Sequence, residues 1–157
     1  MPQHALAEIQ KAGKMDVEFS PHLLFLEGSA LFQERRYSEA LYPLGQAVLL
    51  EPTEVKLWLL IGSCQKRIGR CDLAIESLEN ALVIQPNSTV VLYNLAMYHA
   101  LAQQETEALK YLARCFFLDP QFKEHMKKEP CFDRLRDNEA FRDLMRERDE
   151  DEAGSTS

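Results

Sequence analysis

Three prolines stand at one interval: Pro52, Pro86 and Pro120 are 34 residues apart each time. Each closes a similar run, Ala47-Val-Leu-Leu-Glu-Pro52, Ala81-Leu-Val-Ile-Gln-Pro86 and Cys115-Phe-Phe-Leu-Asp-Pro120. A fixed period of this length marks a chain built from stacked supersecondary units. One such unit cannot bury its apolar face alone. Neighbours bury it, and the stack is left with a long shaped surface of the kind that binds other chains.

Units starting at Pro21, Val55 and Thr89 align position by position. The fourth position holds Leu24, Trp58 and Leu92, and the eighth holds Gly28, Gly62 and Ala96. The twentieth holds Ala40, Ala74 and Ala108, and the twenty-fourth holds Leu44, Leu78 and Leu112. Small residues at the eighth and twentieth positions let two helix backbones approach closely, and the large ones fill the space beside them. Proline lacks an N–H and crowds the preceding turn, so Pro52, Pro86 and Pro120 end helices. Ser38, Asp72 and Thr106 stand near the start of each unit's second helix, where their side-chain oxygens are expected to cap free N–H groups. Asn87-Ser88-Thr89 offers the same chemistry to the helix that follows. Gly69 is suited to a positive φ in the turn between two helices.

This pattern resembles the tetratricopeptide repeat family, a helix-turn-helix unit of the same period. The second unit carries it most clearly, with Trp58-Leu-Leu-Ile61-Gly62, Gly69, Ala74, Leu78, Ala81 and Pro86. The resemblance covers residues 21–120. The departures are Glu27 where the family has an apolar residue, Ala96 in the place of Gly62, and Arg35 and Gln103 in the place of Gly69. It implies an all-α, right-handed superhelical solenoid of three units, 21–54, 55–88 and 89–120. Residues 121–147 are expected to cap the array, because an end unit exposes an apolar face. Phe122 and Met126 fall on one face of a short helix, Pro130 stops it, and Phe132, Leu135, Phe141, Leu144 and Met145 follow at helical spacing. Residues 1–20 hold a short helical pattern, Ala5 to Ala12, too short to be stable alone in water. The acidic tail 148–157 has no apolar residue larger than Ala and is expected to be disordered.

Charge and cysteine usage exclude several classes. The formal net charge is −7, with acids clustered at Asp149 to Glu152, which is no footprint for nucleic acid. The N-terminus has no secretory apolar run and no stretch is long enough to span a bilayer, so the expected location is the cytoplasm. Cys64, Cys71, Cys115 and Cys131 lack metal-ligand or redox-pair spacing, and Cys115 takes the small-residue position of Ala47 and Ala81. His99 takes the place of an aromatic packing residue. No Gly-rich phosphate loop, nucleophile elbow or paired-histidine metal motif is present, so the expectation is no enzyme, no cofactor and no metal.

The resemblance further implies that the first helix of every unit lines a concave groove. Its inward positions hold Phe25, Leu26, Ser29 and Phe32 in the first unit, with His22 beside them. In the second they hold Lys56, Leu59, Leu60, Ser63 and Lys66, with Arg67 at the rim, and in the third Val90, Tyr93, Asn94 and Met97, with Ala100 beyond. The face is mainly apolar with a small basic patch in the middle unit. Family members that hold the C-terminal carboxylate of heat-shock chaperones carry Lys, Asn and Arg at places taken here by Phe25, Ser29, Leu60, Val90 and Asn94, so that clamp is absent. The expected function is a non-catalytic adaptor or scaffold that takes a protein or peptide with apolar anchors in this groove. Two alternatives stand beside it: a chaperone of secreted translocator proteins, and a homo-oligomer whose groove is filled by its own N-terminal segment.

Overall fold

The computed structural model describes residues 20–146. The readings made above for the N-terminal segment and the acidic tail lie outside the described residues. Six helices follow at the repeat interval: α1 Pro21–Gln33, α2 Tyr37–Leu50, α3 Val55–Arg67, α4 Cys71–Ile84, α5 Thr89–Leu101 and α6 Glu105–Leu118. They pack as helical hairpins, α1 on α2, α3 on α4 and α5 on α6, and each hairpin lays its first helix on the second helix of the one before. The chain is all-α among the described residues and has the helix-turn-helix packing of a solenoid.

The hairpin turns explain where the helices stop. Each first helix ends with one residue in the left-handed region: Arg35 at φ 61°, Gly69 at 81° and Gln103 at 61°. The next N–H reaches back five residues, Arg36 to Leu31 O, Arg70 to Gln65 O and Gln104 to His99 O, at 2.8 to 2.9 Å. This is the Schellman closure, which satisfies carbonyls that a helix end leaves unpaired. It also shifts the caps. The second helices start at Tyr37, Cys71 and Glu105, with Arg36, Arg70 and Gln104 at the caps and no side-chain cap bond. Ser38, Asp72 and Thr106 therefore lie inside the first turn instead of capping it, because the tight closure leaves no further residue before the helix begins. Ser88 does cap α5, its Oγ accepting from Val91 N–H at 3.4 Å. The left-handed turn costs a side chain roughly 1–2 kcal/mol that glycine escapes in part. Arg35→Gly and Gln103→Gly are each expected to stabilise the chain by up to about 1 kcal/mol, and a thermal melt shifted downward by either checks this.

Packing follows the small and large positions. Ala40, Ala74, Ala108, Leu44, Leu78 and Leu112 are all fully buried. Leu24 and Leu92 are buried at the fourth position, but Trp58 is half-buried, lies against the Ala74–Leu78–Val91 cluster, and donates its indole N–H to Pro52 O at 2.9 Å. Pro86 O likewise accepts from Arg114, at 3.0 Å. The seventh-position residues Ile61 and Leu95 are buried against the preceding hairpin, whereas Glu27 is half-buried in the first one. Among the described residues no hairpin precedes α1, so no apolar side chain is required there.

Beyond α6 the repeat stops. Helix α7 spans Phe122–Lys127, a 3-10 helix spans Pro130–Asp137, and α8 spans Glu139–Arg146. Pro130 opens the 3-10 helix and the Glu129 carboxylate accepts from Cys131 N–H at 3.4 Å. With three residues per turn, Phe132 and Leu135 fall on one face. They join Met126 and Phe141 over Leu92, Ala96, Ala108, Leu112 and Phe116. Lys123 is buried, lies over the Phe116 ring and donates to Met145 O at 3.2 Å, which binds the end of α8 to α7.

Candidate functional site: the inner faces of the first helices

On α3 the spacing of Lys56, Leu60, Ser63 and Arg67 is i, i+4, i+7 and i+11, which places the four on one stripe of an α-helix. Leu60 is half-buried against the cluster that α1 and α2 share with α3. Ser63 donates to Leu59 O at 2.9 Å. Lys56 and Arg67, at the two ends of the stripe, are exposed. Both reach aromatic rings of the first hairpin: Lys56 Nζ lies 5.0 Å from the centre of Phe25, and the Arg67 guanidinium 5.8 Å from that of Tyr37. Tyr37 itself meets Phe32 edge-on at 5.1 Å.

Of the residues expected to face inward, Phe25, Phe32 and Leu60 share one cluster and Lys56 lies on Phe25. Phe25 and Phe32 are half-buried, Ser29 is half-buried beside them, and Leu26 is 48% exposed. Two α3 residues turn the other way. Leu59 packs against the cluster of α4 and α5, and Lys66 Nζ lies 5.7 Å over the ring of Tyr98 on α5.

The α5 residues have a different fate. Val90 is 49% exposed and its carbonyl accepts from Asn94 Nδ2 at 2.8 Å. Tyr93 sits against the cap, 5.2 Å from Phe122 and 5.7 Å from Phe132, ring to ring. Burial pushes its phenol up to about 12, and the charge of Glu129 adds to the rise. Met97 packs between the α4–α5 cluster and the cap cluster. Burial also pushes the Cys131 thiol up to about 11. Glu129 adds to that rise.

Tyr37, Tyr98, Phe122 and Phe132 border this site and were not among the residues expected from the sequence. Tyr37 and Tyr98 stand outside the inward positions of the repeat, and the cap residues stand outside the repeat altogether.

The remaining chemistry is quiet. All four cysteines are free, and burial raises the Cys64 and Cys115 thiols to about 11 and about 12, as for buried hydrophobes. His99 is buried, shares a hydrogen bond of 2.6 Å between its Nδ1 and Gln104 Oε1, and stacks on Tyr111 at 5.3 Å. Among the described residues no group of His, Cys, Asp or Glu is placed to hold a metal ion, and no helix is long and apolar enough to cross a membrane.

Comparison with known proteins agrees with this architecture. The tetratricopeptide repeat model matches residues 55–88. Anaphase-promoting complex subunit 3 of Dictyostelium discoideum is 30% identical over 93 residues, which is 55% of this chain and 10% of that protein. The chain thus spans about a tenth of the length of the curated relative it matches. Among solved structures, MamA superposes with a TM-score of 0.71 at 16% identity over 96% of this chain and 88% of its own. The Yersinia enterocolitica type III secretion chaperone SycD, in complex with a peptide of the translocator YopD, gives 0.61 at 23% identity over 68% of this chain and 84% of its own. At these identities the structural likeness is one of fold.

Proposed function

This chain is a tetratricopeptide-repeat protein, and from that premise we propose that it is a non-catalytic protein-interaction adaptor. Its units would be 21–54, 55–88 and 89–120, closed by 121–147, and its ligand a peptide or helix with apolar anchors. The observation that carries this reading is the surface between α1 and α3. Leu26 is left nearly half exposed, and Phe25, Phe32 and Leu60 are half-buried against the core that α1 and α2 share with α3. Apolar surface that a fold does not itself bury marks binding sites. A similarly folded chain, SycD, has been solved with a bound peptide. The cytoplasm is the proposed location, on the ground that Cys64 and Cys115 serve as buried thiols.

Leu60→Asn tests the site. It places a polar group on the stripe, and loss of one apolar anchor is expected to weaken partner binding by about tenfold, or roughly 1.4 kcal/mol. Capture of partners by wild type and variant in parallel, with quantitative mass spectrometry of the bound chains, reads the difference. Equal recovery with an unchanged melt removes α3 from the binding site.

The likeness to SycD supports a second reading, a chaperone that shields an apolar segment of a secreted translocator. The two differ in client. Sizing the full chain against one lacking residues 1–20 also separates both from self-assembly, which requires the assembly to change on truncation.

A further inference from the structure

The surface between α1 and α3 has a charge pattern that narrows its ligand. We infer that it reads a short extended segment carrying two carboxylates about five residues apart with apolar residues between them; this rests on the adaptor reading above. Lys56 and Arg67 lie eleven residues apart on one helix stripe, which at 1.5 Å per residue sets their Cα atoms about 16 Å apart. Leu60 stands between them on the same stripe. An extended chain rises about 3.3 Å per residue, so five residues span that distance.

Three observations favour acids as the groups read at each end. The whole chain carries a net charge of −7, yet this stripe has a cation at either end. Neither cation forms an ion pair among the described residues. Each instead rests on an aromatic ring, Lys56 on Phe25 and Arg67 on Tyr37. A ring holds a long side chain in place without neutralising it, so less freedom is lost when a carboxylate arrives. Lys66 is excluded from this role, because its Nζ lies over Tyr98 of α5 and not beside the first hairpin. The cap also fixes the site's extent. Tyr93, the inner residue of α5, is taken by Phe122 and Phe132, so the ligand is confined to the first two hairpins.

Fluorescence anisotropy with labelled octapeptides tests this on the full chain. The acid-flanked probe is Glu-Asp-Leu-Ser-Phe-Leu-Asp-Glu. Its scrambled control, Leu-Phe-Leu-Ser-Glu-Asp-Asp-Glu, has the same charge and composition. A neutral control replaces Glu and Asp by Gln and Asn. The acid-flanked probe is expected to bind at least about tenfold tighter than both controls and to weaken as salt rises. Lys56→Gln with Arg67→Gln should abolish that preference and leave the neutral probe unchanged. The charge-keeping pair Lys56→Arg with Arg67→Lys, and Lys66→Gln alone, should retain it. If all three probes bind alike and all are weakened by Leu60→Asn, the groove reading stands and the acidic ligand is overturned. If binding is indifferent to Leu60→Asn, or no probe binds at millimolar concentration, both fall.

Discussion

Phe132→Ala is expected to remove about 3–5 kcal/mol of stability, the range for truncating a buried aromatic side chain. Phe132 is fully buried, edge-on to Tyr93, and packs with Leu92, Ala96, Ala108 and Leu112 of the last hairpin as well as with Met126 and Leu135 of its own segment. The cavity left would therefore loosen the cap and uncover the apolar end of the array together. In a chain of this length the melt should fall by roughly 6–20 °C. Hydrogen exchange localises the loss: amides of 122–146 should exchange faster than those of α1 to α4, since each hairpin of a stacked array leans on its neighbours. The half-buried Phe122 should matter less when truncated. A Phe132→Ala melt matching wild type would show that the segment is not a structural cap.

The cap's dual role bears on function. Tyr93 occupies the same repeat position as Phe25 and Leu59, and periodicity alone treats the three as equivalent. They are not, because the neighbour beyond each differs. Phe25 meets Lys56 of α3, Leu59 packs toward α4 and α5, and Tyr93 meets the aromatic rings of a segment that occurs once. A repeat is legible because the same packing problem recurs, so that Ala40, Ala74 and Ala108 give one answer three times. A cap is solved once, and only its apolar spacing, Phe132 to Leu135 and Phe141, could be read beforehand. The 3-10 geometry that carries Phe132 and Leu135 follows from Pro130 and the short connection, and that spacing suits an α-helix equally well.

The turns show the limit of reading residue types. Gly69 signals a left-handed residue, and the structure places Arg35 and Gln103 in the same conformation. Their residue types carry no such signal, and only the repeat register sets both in the place of Gly69. What forces them is tertiary: the first and second helices must meet at Gly28–Leu44 and Ala96–Leu112 as they do at Gly62–Leu78, and only the same closure brings them there. For the same reason Ser38, Asp72 and Thr106 have the chemistry of caps and do not cap. The cations were legible as a small basic patch, but not the ring beneath Arg67, since Tyr37 belongs to a second helix and only the folded hairpin places it there.

The eighth position of the repeat gives the second large effect, and with opposite signs in two units. A β-carbon added to Gly28 would lie 2.5 Å from both Cγ and Cδ2 of Leu44. Leu44 is fully buried, and its Cγ is a branch point with no free end to swing aside. Gly28→Ala is therefore expected to cost about 1–3 kcal/mol through overpacking, despite the better helix propensity of alanine. At Gly62 the added carbon would meet Ala74 O at 3.4 Å and Leu78 Cγ at 3.5 Å, which is ordinary contact. Gly62→Ala should then gain about 0.5–1 kcal/mol from the helix backbone alone. The third hairpin already carries this change as Ala96, fully buried beside Leu112. The clash also predicts coupling. Leu44→Ala alone should be strongly destabilising, but Gly28→Ala added to it should cost far less than in the wild-type background, because the atoms it strikes are gone. Denaturant melts of the two glycine variants, Leu44→Ala and the double variant settle both points. Equal signs at Gly28 and Gly62, or additive losses at Gly28 and Leu44, would mean that α1 and α2 are farther apart than the first hairpin places them.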